Sequence, residues 1–200
     1  WDKVQTHTSI RMNFLEEAYE AVDALDLDDP VLMCEELGDV LMQVAFHTCM
    51  EQETGRFTWE QVCDGVCQKL IERHPNIFGT QPGYEGITDW DALKNKEKGR
   101  RTLADDLESV PRAMPALMRA AKLQKRAARH GAALQGADAA ALADAAENLQ
   151  TAQPASAQAE QAVGELLFAA ANLARQAGVD PEQALQKANE AFCTATGPVA

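Results

Sequence analysis

Glu16, Glu17 and Glu20, followed by Glu36 and Asp39, place five carboxylates in LEEAYEAVDALDLDDPVLMCEELGDVL, residues 15–41, a stretch whose remaining positions have the spacing of apolar helices. On a helix, Glu16 and Glu20, Glu17 and Glu20, and Glu36 and Asp39 each lie about one turn apart. If two such helices pack antiparallel across Asp26–Pro30, the carboxylates converge. Like charges held that close raise one another's pKa values, and a divalent cation removes the conflict. Hard oxygen ligands suit Mg²⁺ or Mn²⁺, and Mg²⁺ usually keeps waters and shares itself with substrate phosphates. An isolated EExxE reads better as a solvated helix face. Two clusters joined by a short turn and followed by an apolar face favour the metal. A di-iron bundle would need Glu-x-x-His on two helices. No such tetrapeptide occurs, and His7, His47, His74 and His130 have no ligand spacing to one another.

The elements that must hold these groups are helical. Phe14, Leu15, Ala18, Val22 and Leu25 predict an amphipathic helix over 10–25, and Leu32, Met33, Leu37, Val40, Leu41, Val44 and Phe46 predict another over 31–52. Asp29 reads as the N-cap of the second, with Pro30 at its first position. Thr58 is the N-cap expected for a third helix through Trp59, Val62, Val66 and Leu70, which His74-Pro75 ends because the residue before proline avoids the helical region. Gly79–Gly86 reads as a loop, 89–98 as a short helix, and Gly99-Arg100-Arg101 as a linker. A long helix is expected over 111–129, and two more over 161–175 and 180–192, Pro181 following Asp180 at a first position. Residues 132–162 are rich in alanine and glutamine, a composition that specifies packing poorly. No strand-like alternation of useful length appears. The expected fold class is all-α.

Composition narrows the function. Two hundred residues with 46% hydrophobic and 24% charged side chains suit a folded chain of one or two domains. A net charge of -13 argues against nucleic acid as a partner, since phosphate backbones demand a basic surface. No apolar run reaches membrane-spanning length and no signal segment opens the chain, so no membrane is expected and the cytoplasm is the expected compartment. The sequence opens at Trp1 without a methionine, as a fragment or processed chain would. Five cysteines without paired spacing, Cys34, Cys49, Cys63, Cys67 and Cys193, read as reduced, partly buried thiols.

The chain repeats itself. ELGDVLMQVAFHT at 36–48 lies over AVGELLFAAANLA at 162–174, and FTWEQVCDGVCQKL at 57–70 over VDPEQALQKANEAF at 179–192. Glu36 then corresponds to Ala162, Asp39 to Glu165 and Lys69 to Ala191, while Cys67 stands over Asn189.

EEAYE at 16–20, ELGD at 36–39, GRFTWEQV at 55–62 and KLIERHPNIFG at 69–79 closely resemble the MazG family, nucleoside triphosphate pyrophosphohydrolases of the all-α superfamily. WDKVQTH at 1–7, PRAMPALMRAAKLQKRAARHG at 111–131 and GELLFAAANLARQAGVDPEQALQKANEAF at 164–192 extend the likeness over nearly the whole chain. The resemblance implies tandem MazG-like helical-bundle repeats, 1–100 with intact carboxylate motifs and 101–200 degenerate. It implies Mg²⁺-dependent hydrolysis of a nucleoside triphosphate to monophosphate and pyrophosphate, a role in cleansing the nucleotide pool, and a homodimer. Glu16, Glu17, Glu20, Glu36 and Asp39 would hold the metal, and Glu17 or Glu20 would orient the attacking water as a base. Lys69 and Arg73 would contact phosphate. Outside the family context Lys69 reads as a solvent-facing lysine.

Departures from the family pattern matter as well. Cys67 replaces the usual asparagine, which removes a polar contact to nucleotide or metal. In the second half Ala162, Glu165 and Ala191 replace motif residues, and ADAAENLQ at 143–150 keeps only Asp144 and Glu147 of an EExxE-like cluster. The second half is therefore expected to be a catalytically dead structural copy. Two other readings stand beside the enzyme: a degenerate family member that binds nucleotide or a partner without turnover, and a purely structural scaffold.

Overall fold

Short capping signals divide the chain into helices, and apolar spacing sets their lengths. The structure, a computed structural model, describes residues 2–75, 77–78, 95 and 97–197; every regular element among them is helical. It divides into two compact units, Trp1–Thr88 and Asp89–Ala200. The expected loop at 79–86 lies outside the described residues, as does most of the expected helix at 89–98.

In the first unit a 3₁₀ turn, Asp2–Val4, precedes α1 (Arg11–Asp26), α2 (Pro30–Glu53) and α3 (Trp59–Arg73). The Asp29 carboxylate accepts from the Val31 and Leu32 N–H groups at 2.9 and 3.1 Å, and Pro30 opens α2 without an N–H to satisfy. Asp28 completes the turn at a φ of 53°, a left-handed conformation that aspartate tolerates better than most residues. Thr58 and Gln61 form a reciprocal capping box on α3, and His74 caps its other end.

So short a connection makes α1 and α2 antiparallel neighbours. The buried residues are Ala21 and Ala24 on α1 and Gln43, Thr48 and Glu51 on α2. The N-terminal segment is pinned to this hairpin by His7, whose ring stacks on His47 at 4.9 Å and whose Nε2 lies 2.5 Å from Glu51. Arg56 reaches the same Glu51 oxygen at 2.6 Å, tying the α2–α3 turn to the helix it follows. Burial, and then the charge of His7, push the His47 pKa down. The apolar face expected to form a core is only partly covered: Val22, Leu25, Leu37, Leu41, Val66 and Leu70 are exposed, and α3 buries no residue. Two paired helices and a third that buries no residue leave much of their apolar surface bare.

The second unit holds α4 (Leu103–Glu108), α5 (Ala116–Arg129), α6 (Ala139–Thr151), α7 (Ala157–Gln176) and α8 (Pro181–Thr196). The short α4 was not expected, although Thr102 and Asp105 form a capping box that marks its start. The helix expected from Pro111 begins five residues later, after Pro115, since two prolines in this stretch keep the preceding residues out of helical geometry. Asp106 of α4 is buried and meets Arg126 and Arg129 of α5, each at 3.0 Å, and His130 at 3.1 Å. Burial alone would raise its pKa; hydrogen bonds from Asn95, Arg129 and His130, with the Arg126 charge, bring it below the usual carboxylate value.

The alanine-rich stretch folds into α6 and the start of α7, which begins at Ala157, ahead of the expected 161. Small side chains let the two helices approach closely, burying Ala145, Ala162, Ala169 and Ala171. Asn172 donates to the Ala137 carbonyl at 2.6 Å and Gln124 of α5 to that of Phe168 at 2.7 Å, so polar tethers supplement the alanine packing. The α8 start matches its sequence signal, with Asp180 accepting from Glu182 and Gln183. All five cysteines are free and exposed, which corrects the expectation of partial burial: they occupy outward faces of α2, α3 and α8. No helix among the described residues is long and apolar enough to cross a membrane.

Candidate metal centre and active site

The antiparallel α1–α2 hairpin reverses residue order between its arms, so Glu20 comes opposite Glu36 while Glu17 comes opposite Gln43. One carboxylate oxygen from each of Glu17, Glu20 and Glu36 lies within 4.8 Å of the others. Glu17 and Glu36 are half-buried and Glu20 is exposed, as befits a site open to a soluble ligand. Asp39 is half-buried, Glu16 is exposed, and both lie outside this group of three, although they border it along their helices.

The electrostatics follow from crowding. Partial desolvation, then Glu36, Glu17 and Glu16, and a hydrogen bond with Glu17 raise the Glu20 pKa above its ordinary value. Desolvation, then Asp39, Glu35 and Glu17 do the same for Glu36. None of Glu17, Glu20, Glu36 and Asp39 makes an ion pair among the described residues. Three oxygens near 4.8 Å or closer, all anionic, and without a side-chain cation are a donor set that fits a hard divalent ion.

Gln43 is the residue that sequence reasoning passed over. Its side chain is 4% exposed, its Nε2 donates to Glu17 Oε1 at 3.3 Å, and its Oε1 is buried without a hydrogen-bond partner. A glutamine inside an apolar run, facing the carboxylate helix at the spacing of Glu36, was the available signal. Such an amide fixes the orientation of a ligand carboxylate, the usual work of the groups behind a metal's direct ligands.

Lys69 and Arg73 lie on one face of α3. Lys69 is exposed and has no ion pair or hydrogen bond among the described residues; Arg73 is half-buried in the last turn. Cys67 is exposed on the same helix.

The corresponding part of the second unit differs. Ala162 is 2% exposed and Ala169, which the repeat places over Gln43, is fully buried. A cleft of about 700 Å³ opens beside them, lined by Asp144, Asn148 and Glu165 among others. Among the described residues, the three-carboxylate arrangement occurs in the first unit alone.

Comparison with known proteins agrees with this geometry. The family model of the MazG nucleotide pyrophosphohydrolase domain matches residues 5–78, which lie within the first unit and contain the whole carboxylate hairpin. A nucleoside triphosphate pyrophosphohydrolase of Escherichia coli strain K12 is 39% identical over 96% of this chain and 76% of its own length. The nucleoside triphosphate pyrophosphohydrolase/pyrophosphatase MazG of Thermotoga maritima is 38% identical over 96% of this chain and 75% of its own. A nucleoside triphosphate pyrophosphohydrolase of Mycobacterium tuberculosis is 37% identical over 66% of this chain and 41% of its own. With identity of this extent spanning both units, the chain belongs to the MazG nucleotide pyrophosphohydrolase family.

Proposed function

We propose that the chain hydrolyses nucleoside triphosphates to nucleoside monophosphate and pyrophosphate at the α1–α2 hairpin of its first unit, in the service of cleansing the nucleotide pool. The observation that carries this reading is the convergence of Glu17, Glu20 and Glu36 in a chain of this family. Glu17, Glu20 and Glu36, with Glu16 and Asp39 at the margins, would hold Mg²⁺, or Mn²⁺ in its place, which would supply charge neutralisation for the triphosphate and activation of the attacking water.

The chain's own side chains do the rest. Gln43 keeps Glu17 turned toward the site through its Nε2. Glu20, exposed and not held by an amide, is free to take the proton from the attacking water, with Glu17 as the alternative base. Lys69 and Arg73 supply positive charge to the phosphates, and Cys67 leaves a position without the polar contact an asparagine would give.

The exposed apolar side chains of the three helices support a homodimer. Leu37, Leu41, Val66 and Leu70 are each about half exposed and would gain about 1 kcal/mol each if fully covered. The second unit is a degenerate copy of the first and is catalytically silent, because two carboxylates and a wall of alanines cannot rebuild the donor set. Free thiols throughout suit a reducing cytoplasm.

Pyrophosphate release from a panel of ribo- and deoxynucleoside triphosphates, with Mg²⁺ and with EDTA, tests the proposal. Metal-dependent release is expected. Bound nucleotide with no product over hours would favour the non-catalytic binding reading instead.

A further inference from the structure

A different site stands out in the second unit. The chain is strongly acidic overall, yet α5, ALMRAAKLQKRAAR, carries five cationic side chains and no acidic one. Arg126 and Arg129 are occupied by Asp106. Lys122 and Lys125 make no ion pair among the described residues. Both line a cleft of about 490 Å³ together with Arg175 of α7, whose Nε donates to Asn172 Oδ1 at 2.9 Å and so holds the guanidinium in place. That volume suits a small organic ligand.

The rest of the lining adds a second kind of chemistry. Met118 of α5 and Met114, two residues ahead of that helix, line the cleft with Val179 and with Pro181 at the first position of α8, giving an apolar wall beside the cations. The helix α8 begins at this wall and directs its partial positive charge toward it. The acidic lining residue, Asp180, turns its carboxylate to the Glu182 and Gln183 N–H groups at 2.9 and 3.1 Å as the N-cap, which leaves the cationic character of the cleft dominant.

We propose that this cleft is a binding site for a phosphorylated nucleoside, held without turnover: phosphate on Lys122, Lys125 and Arg175, and base against Met114, Met118, Val179 and Pro181. It is separate from the unit's carboxylate cleft. On α7, Arg175 lies ten residues beyond Glu165, about 15 Å along the helix. Among the described residues no metal-holding carboxylate cluster lines it, and the proposed binding involves no divalent cation.

Isothermal titration of the full chain in EDTA tests this, with adenosine monophosphate, inorganic pyrophosphate and sulfate as separate titrants. The monophosphate is expected to bind, the Lys122→Ala/Lys125→Ala double variant to raise its Kd about tenfold or more, and Glu36→Ala to leave it unchanged. Met118→Ser, a milder change on the wall, is expected to weaken the monophosphate and spare pyrophosphate. No heat from either phosphate compound would overturn the proposal. So would binding that survives the double lysine change but is lost in Glu36→Ala. Sulfate binding as tightly as the monophosphate would overturn the assignment of the apolar wall to a base.

Discussion

The α1–α2 and α6–α7 hairpins use one architecture for opposite ends. In the first, the seam carries glutamates and a buried glutamine; in the second, buried Ala162 and Ala169 occupy the positions the repeat gives to Glu36 and Gln43. In the first hairpin desolvation, and then repulsion between neighbouring carboxylates, raises the Glu20 and Glu36 pKa values, a cost that a bound cation or a proton relieves. The second has exchanged charge for close helix contact and carries its buried charge elsewhere, at Asp106, where two arginines meet it. Under the proposed function, chemistry and packing thus fall on different seams.

The largest effect expected from breaking this contrast is at the bases. Glu17→Ala and Glu20→Ala should each lower kcat/KM about 10²–10⁴-fold, whereas Asp144→Ala should leave it within about twofold; steady-state pyrophosphate release measures both. Equal losses from all three variants would mean that the second hairpin takes part in catalysis.

Next in size is the stability of the second unit. Asp106→Asn leaves Arg126, which is buried, without its anion and should cost about 3–5 kcal/mol, read from denaturant unfolding. The lowered Asp106 pKa fixes the sign with pH: its contribution is present above the ordinary aspartate value and is lost as pH falls through the folded-state value. An unfolding midpoint indifferent to the substitution would show that the ion pairs contribute little.

A smaller change sharpens the role of the buried amide. Gln43→Leu keeps the side chain's approximate size and removes the donor to Glu17, so the Mg²⁺ concentration for half-maximal activity should rise about 10–100-fold and Mn²⁺ affinity by direct titration should weaken in parallel. A fall in kcat at unchanged metal affinity would place Gln43 in some other task.

The smallest expected effect is a trend with pH. Raised carboxylate pKa values make the metal-free chain lose stability as pH climbs from the ordinary glutamate value through the raised ones, because the folded state holds its protons longer than the unfolded. Metal binding requires those protons to leave. The rise in Tm produced by Mg²⁺ should therefore grow over the same interval, and a shift independent of pH would contradict the ligand assignment.

Much of this was legible in local signals. Asp29-Pro30, Thr58 with Gln61, and Asp180-Pro181 each specify a helix start through a side chain and the backbone a few residues away, with no knowledge of the rest of the fold. The carboxylate cluster was legible because helical spacing and one short turn are enough to bring Glu17, Glu20 and Glu36 together. Gln43 was not, since its importance lies in the helix opposite it. Burial was the least legible property. Leu41 lies on a helix with apolar spacing yet is 57% exposed, because spacing shows which face is apolar and not whether anything covers it. The late start of α5 and the short α4 have local causes that apolar spacing does not carry: Pro115 holds the helix back to Ala116, and the Thr102–Asp105 capping box starts a helix of six residues.

The central claim is that catalysis belongs to the first hairpin alone. The most direct test is Mg²⁺-dependent pyrophosphate release by Glu36→Ala, in ELGD at 36–39, and by Glu165→Ala, in AVGE at 162–165, the segment the repeat lays over it. The account predicts that release is lost in Glu36→Ala and retained in Glu165→Ala. Loss in Glu165→Ala with retention in Glu36→Ala would contradict it and move the active site to the second unit.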